Sequence, residues 1–228
     1  MRTKGKSTPM RTLATLEINR KRNLMRISRQ KFGNEVTPVP SQIILVVELK
    51  NSKSSYILSA TKRTESFPNI EKILNDRDVF IADQIGVFLT KGVKADLGKS
   101  VFRSYPNATV FGAQAPDLEA VYNGTLETVV NKKKILENLP LRHFRNVPET
   151  QKDATKEDSG SMKDVLSDID PLLIMNGRNS CEATIRLAEE TTVNIEDNTT
   201  PNWLVLVFDG MLIDGGADIL KTRSDAGR

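Results

Sequence analysis

Short apolar stretches separated by turn residues predict a protein built mainly from β-strands. Residues 43–49 form a β-branched run bounded by Asn51 and Ser52, which is typical of a buried strand. Strand character at 100–112 and 135–147 is weaker, because prolines and charged residues interrupt both stretches. Five further stretches share the strand pattern as alternating or continuous apolar runs: 55–61, 79–90, 172–175, 182–187 and 203–208.

A β-hairpin is predicted around Asn123-Gly124, since this residue pair is preferred in the tight type I′ turn. Residues 118–122 and 125–130 flank the turn and carry apolar side chains at alternating positions. We therefore expect two antiparallel strands that meet at this point.

Two short helices are predicted between the strands. The first spans residues 66–75, with Ser66 as a cap. The second begins near Ser161, where an acid follows in the first turn, and the apolar positions 165, 166 and 169 continue it. A polar loop at 149–161 precedes the second helix.

These elements predict an all-β, jelly-roll-like sandwich of about 8–10 strands with two short helices and an extended basic N-terminal arm. The arm covers residues 1–35, and a single sandwich domain covers 36–214, including the polar loop and short helix at 148–170. Residues 215–228 form a polar C-terminal tail. No apolar run reaches the about 18 residues of a membrane span, and no signal peptide is expected.

Charge is distributed unevenly along the chain. The first 34 residues contain ten Lys or Arg and the single acid Glu17, whereas the remainder has a net charge near −5. An arm with so few large apolar residues does not fold alone. It can contact nucleic acid, bind an acidic neighbouring subunit, or remain a solvated tail. The candidate contact residues are Arg20, Lys21, Arg22 and Arg26.

No motif in the sequence predicts catalysis. The stretch from Gly92 to Ser100 superficially resembles a phosphate-binding loop, but five residues separate its glycines instead of four, and strand-like residues follow it. His143 is the only histidine, so a histidine metal cluster is excluded, and Cys181 is the only cysteine. Asp164, Asp168 and Asp170 lack the pattern of a calcium loop, which favours a solvated helix end. We expect no cofactor.

A second concentration of basic residues follows the predicted hairpin, and it has two interpretations. One is a charged strand edge that prevents unwanted pairing, and the other is a surface that docks an acidic partner. Its members are Lys132, Lys133, Lys134, Arg142 and Arg145.

Two stretches carry a resemblance to a known group of proteins. Residues 173–187 place an asparagine-rich loop before an alternating strand, and residues 202–213 form a buried strand that ends near Gly210. This succession resembles the closing strands of jelly-roll structural proteins in bacteriophage particles. Residues 104–112 and the basic arm are similar to such proteins as well. The resemblance implies a virion protein, with the capsid subunit itself as one form.

The predicted function is therefore a non-enzymatic phage structural protein, located in the virion, that self-assembles into a symmetric shell or ring. Its partners would be copies of itself and other virion proteins, with nonspecific nucleic-acid contact through the arm. One alternative is a β-sandwich adaptor or receptor-binding module. Another is a sandwich-fold hydrolase whose carboxylate pair is assembled only by folding.

Overall fold

A computed structural model describes residues 9–62, 72–147, 165–188 and 194–226. Within these ranges the chain forms eight strands and four α-helices. The strands are β1 (Val39–Glu48), β2 (Ser55–Ser59), β3 (Val79–Lys91), β4 (Thr125–Val130), β5 (Lys133–Pro140), β6 (Ser167–Asn176), β7 (Cys181–Arg186) and β8 (Asn202–Ile213). The helices are α1 (Pro9–Phe32), α2 (Ala108–Phe111), α3 (Ala115–Tyr122) and α4 (Gly216–Ala226).

The strands of the described chain form two antiparallel sheets of four. The first sheet has the order β1-β8-β3-β6, and the second sheet has the order β2-β7-β4-β5. Strands pair from the two ends of the chain inward: β1 with β8, β2 with β7, β3 with β6 and β4 with β5. Two further ladders, β3 with β8 and β4 with β7, complete the sheets. The eight described strands therefore form four nested antiparallel pairs, and these pairs are distributed over the two sheets.

The main core lies between the two sheets, because alternate side chains of each strand point into the space that the sheets enclose. In β3, Phe80 and Ala82 join this core, whereas Val79 and Ile81 point to the opposite face of the first sheet. All four side chains are fully buried. The first sheet therefore needs a second layer of cover on its outer face.

The N- and C-terminal helices cover one half of that outer face. Leu24, Ser28 and Phe32 are spaced by four residues, so they share one side of α1, and all three are buried. The Ser28 hydroxyl donates to the Leu24 carbonyl at 2.8 Å, which satisfies the polar group within the helix. The apolar cluster formed by the helices and the sheet contains Leu24, Phe32, Val79, Ile81, Met211, Ile213 and Ala217.

Connecting segments cover the other half of the outer face. A 3₁₀ turn at Lys94–Lys99 contributes Leu97, and Phe102 and Leu166 pack beside it. The Trp203 indole lies here as well and donates from Nε1 to the Gly92 carbonyl at 2.8 Å. The sheet residues under this cover are Val46, Phe88, Trp203, Val205 and Val207.

The outer face of the second sheet is polar instead. In β7, Cys181, Ala183 and Ile185 are buried, while the residues between them are less buried and the strand alternates. Ile57 in β2 is 65% exposed, so its side chain stands in solvent on this face. The second sheet therefore has one apolar and one hydrated face.

Most of the predicted strands are confirmed. The stretches at 43–49, 55–61 and 79–90 lie in or overlap β1, β2 and β3, and those at 172–175, 182–187 and 203–208 lie in or overlap β6, β7 and β8. The expected predominance of β-structure is confirmed with them. The strand expected across 100–112 is wrong, since residues 108–111 form α2.

The predicted hairpin at Asn123-Gly124 is wrong. Residues 115–122 form the helix α3, which has a proline in its first turn, and Leu118, Val121 and Tyr122 form its buried face. A Cβ at Gly124 would lie 2.2 Å from the Arg186 carbonyl oxygen. The glycine is therefore needed for the close approach of two backbones, and not for a tight hairpin turn.

Both chain ends also differ from expectation. The predicted extended arm is wrong where it is described, because Pro9–Phe32 is helical and its Leu24 and Phe32 pack on the first sheet. The predicted polar tail contains α4. The helix predicted at 161–170 is wrong where it is described, since residues 167–170 begin β6. Most of the helix predicted at 66–75 lies outside the described residues, as does the whole of the loop predicted at 149–161.

Candidate interaction surface on the N-terminal helix

Arg20 lies on the side of α1 that faces the first sheet, where it binds two carboxylates. Its Nη1 lies 3.0 Å from Asp83 Oδ1, and its Nη2 lies 2.6 Å from Asp209 Oδ2. Gln42 donates from Nε2 to Asp209 Oδ1 at 2.9 Å. The Arg20 side chain is only 19% exposed, and its guanidinium is already bound by carboxylates of the same chain.

Asp83 lies at a β-bulge in β3, where the register between Ala82 and Gln84 is irregular against both neighbouring strands, β8 and β6. Its side chain is 10% exposed. Burial raises the pKa of Asp83 to about 6, and the charges of Asp209 and Asp168 act in the same direction. The attraction of Arg20 opposes this rise without cancelling it. The contact between α1 and the sheet thus contains a carboxyl group that titrates in the mildly acidic range.

Lys21 also has a partner within the helix. Its ammonium group lies 2.9 Å from Glu17, one turn earlier, and both side chains are partly exposed. Such an i, i+4 pair on a helix surface adds little stability, but it neutralises the lysine charge locally. Of the four predicted contact residues, Arg20 and Lys21 therefore have carboxylate partners in the chain.

Arg22 and Arg26 lie on the side of α1 that faces away from the sheet, and both are exposed. Arg29 joins them on that side, although sequence reasoning did not select it. Arg26 donates to the Asn23 side chain at 2.9 Å, and within the described ranges none of the three arginines forms an ion pair. The spacing 22, 26, 29 identifies the group once a helix is assumed, because it repeats every three to four residues. We call these three residues the arginine stripe.

Two apolar side chains of α1, both between Thr15 and Arg20, are exposed to solvent. Leu16 is 60% exposed and Ile18 is 50% exposed. The buried positions of the helix begin only at Leu24 in the described side chains. The early turns of α1 therefore carry uncovered apolar area next to the arginine stripe.

Three of the five side chains in the second basic concentration bind polar or acidic groups of the same chain. Arg145 lies 2.6 Å from Glu119, and Arg142 donates to the Asn123 side chain at 3.0 Å. Lys134 lies 3.2 Å from Glu127 and also contacts Glu137 on its own strand. β5 is an edge strand of the second sheet. This arrangement favours the charged strand edge over a docking surface.

The single histidine and the single cysteine of the sequence lie in different environments. His143 lines an open groove of about 330 Å³ between β5 and β6, together with Asp168 and Asp170. Cys181 is buried, and burial raises the pKa of its thiol to about 12, so it remains protonated at neutral pH. Asp164 lies outside the described residues.

A phosphate-binding loop, a metal-binding group and a membrane-spanning helix are three further features that would indicate a function. The stretch that resembles a phosphate-binding loop forms the 3₁₀ turn, and its Ser100 hydroxyl donates to the Lys91 carbonyl at 3.4 Å. In the described part of the chain, no three His, Cys, Asp or Glu side chains come together as a metal-binding group. None of the described helices is both long and apolar enough to cross a membrane.

Comparison with protein-family models, with curated proteins and with solved structures finds no match to this chain. The functional proposal therefore rests on the strand order and on the surface of α1.

Proposed function

We propose that this chain is a structural subunit of a bacteriophage virion, built on a jelly roll, which assembles into a symmetric shell or ring. The observation that supports the proposal most strongly is the pairing of the eight described strands from the two ends of the chain inward. A jelly roll has eight strands in two sheets connected as two Greek keys. Four nested antiparallel strand pairs that fold over into two sheets have this connectivity.

The jelly roll serves viral capsids, lectins and cupins, so the fold alone does not select one function. The resemblance of the closing strands to phage structural proteins favours the capsid group. The single histidine of the sequence disfavours a histidine-based metal centre of an enzyme. A rigid block with a long helical extension suits a subunit that forms the same contacts many times.

The early turns of α1 supply a surface for contact between subunits. Leu16 and Ile18 lie exposed there, about two helical turns before Leu24, the first buried residue of the described side chains of α1. Two exposed apolar side chains contribute modestly to the stability of a single contact. Symmetry repeats each contact around a closed ring, and the total then stabilises the assembly.

Size-exclusion chromatography with light scattering tests the proposal on the full-length chain at low and high salt. We expect a large particle for the wild type and dissociation for a Leu16→Asp/Ile18→Asp variant, because the charge would be buried at the contact. Ile57→Asp is the matched control, since it changes a similarly exposed residue on the second sheet. A wild type that stays monomeric at high concentration would contradict the proposal.

A further inference from the structure

We infer that the arginine stripe of α1, formed by Arg22, Arg26 and Arg29, binds the phosphate backbone of nucleic acid. The inference goes beyond the proposed function, because a subunit can assemble without contacting nucleic acid. It names the chemical class of partner, a phosphodiester chain, for one surface of the molecule.

The geometry of α1 concentrates positive charge along a single line. At about 100° per residue, positions 22, 26 and 29 fall within about 60° of one another around the helix axis. Glu17 is the only acid of α1, and it lies beside Lys21. No carboxylate of the helix therefore interrupts the stripe.

The length of the stripe matches a short run of phosphates. The seven residue steps from Arg22 to Arg29 span about 10 Å of helix axis. One strand of B-form DNA carries a phosphate for about every 3.4 Å of its axis. The stripe therefore faces about three successive phosphates.

The surroundings of the stripe suit a phosphate backbone as well. The three arginines line an open surface groove of about 370 Å³ with Met25, Gln30 and Asn34. Arginine binds phosphate through two parallel N–H bonds, and amide side chains add donors without sequence preference. The described surface therefore offers charge and hydrogen-bond donors together.

An acidic surface on a second copy of the chain is the competing partner. Several partly buried carboxylates of the described body already have cationic partners in their own chain, which makes them less available to a second copy. These pairs are Glu119 with Arg145, Glu196 with Lys50, Asp197 with Lys91, and Asp218 with Arg178.

Fluorescence anisotropy of a labelled DNA duplex of about 30 base pairs tests the inference on the full chain across a salt series. The variant combines Arg22→Gln, Arg26→Gln and Arg29→Gln. We expect its affinity at low salt to fall about tenfold or more, since three charge-assisted contacts are removed. We also expect the slope of log K against log salt to become shallower by about 3, since each lost phosphate contact changes it by about 0.9.

A charge-matched control replaces three exposed lysines away from α1: Lys53→Gln, Lys94→Gln and Lys133→Gln. Its affinity should change by about twofold at most, because these charges are screened from the stripe. Equal losses in the two triple variants would overturn the inference, and so would wild-type binding to poly-glutamate that is as tight as binding to DNA. The latter result would favour an acidic protein partner.

Particle size, measured in parallel, separates this inference from the proposed function. Intact particles that bind no DNA would overturn the inference and leave the assembly proposal standing. A monomer whose DNA binding depends on the stripe would support the inference and contradict assembly.

Discussion

The outer faces of the two sheets differ in what covers them. On the first sheet, the apolar side chains of Val79, Ile81 and Met211 lie under helices from both ends of the chain. On the second sheet, Ile57 is 65% exposed, and its cross-strand row continues through Thr184 to Glu127, which pairs with Lys134. The difference teaches that the terminal helices are part of the folded body, since they close a face that would otherwise expose a large apolar area.

The same difference is visible in the strand sequences. β8 contains the continuous apolar run 203–208, because both of its faces are buried. β7 alternates between buried and less buried residues, because only one of its faces meets the core. Continuous and alternating strands thus indicate covered and open sheets, respectively.

The largest expected effect concerns the covered face. Ile81→Ala should lower the free energy of unfolding by about 2–5 kcal/mol, because it opens a cavity under α1. Ile57→Ala on the open face should change it by less than about 0.5 kcal/mol. Urea unfolding of the two variants measures both values. Equal losses would show that the two outer faces do not differ as described.

The next effect concerns pH at the contact between α1 and the first sheet. The folded protein holds the Asp83 proton more tightly than the unfolded chain, because burial raises the pKa of this carboxyl to about 6. Its stabilising contribution is therefore fully present below about pH 4 and is lost as the pH rises through about 6.

Relative to Asp83→Asn, the wild type should gain about 2 kcal/mol of unfolding free energy between pH 7.5 and pH 4. Chemical unfolding across this pH series measures the difference, and the variant removes the contribution of all other titrating groups. A constant difference across the series would contradict the burial of this carboxyl group.

A smaller effect should follow from replacing the cation at the same contact. Arg20→Met should lower the free energy of unfolding by about 1–2 kcal/mol at pH 7.5, because Asp83 and Asp209 lose their partner. The loss should be smaller at pH 5, where Asp83 is protonated. Arg22→Met is the matched control and should have almost no effect on stability. Equal losses of unfolding free energy in the two variants would contradict the assignment of Arg20 to the inward side of α1 and Arg22 to the outward side.

Much of the strand pattern could be predicted, but the chain ends and one hairpin could not. The buried face of α1 consists of Leu24, Ser28 and Phe32, and a serine in the middle hides the helical period from an apolar count. The Asn123-Gly124 pair indicates a turn, yet the close approach of Arg186 that requires Gly124 is a long-range contact. Strand order depends on such contacts throughout, so local patterns do not determine it.

The interaction surface was only partly predictable for the same reason. The sequence identified a basic segment and selected Arg20, Lys21, Arg22 and Arg26. It could not separate Arg20, whose partners Asp83 and Asp209 lie far along the chain, from the outward arginines. It also omitted Arg29, which joins the stripe only when the segment is helical.

Electron microscopy of the purified full-length chain, prepared with and without single-stranded DNA, tests the central claim of assembly most directly. The account predicts closed particles of uniform size with rotational or higher symmetry. Single molecules in every preparation, at high concentration and at both low and high salt, would contradict it.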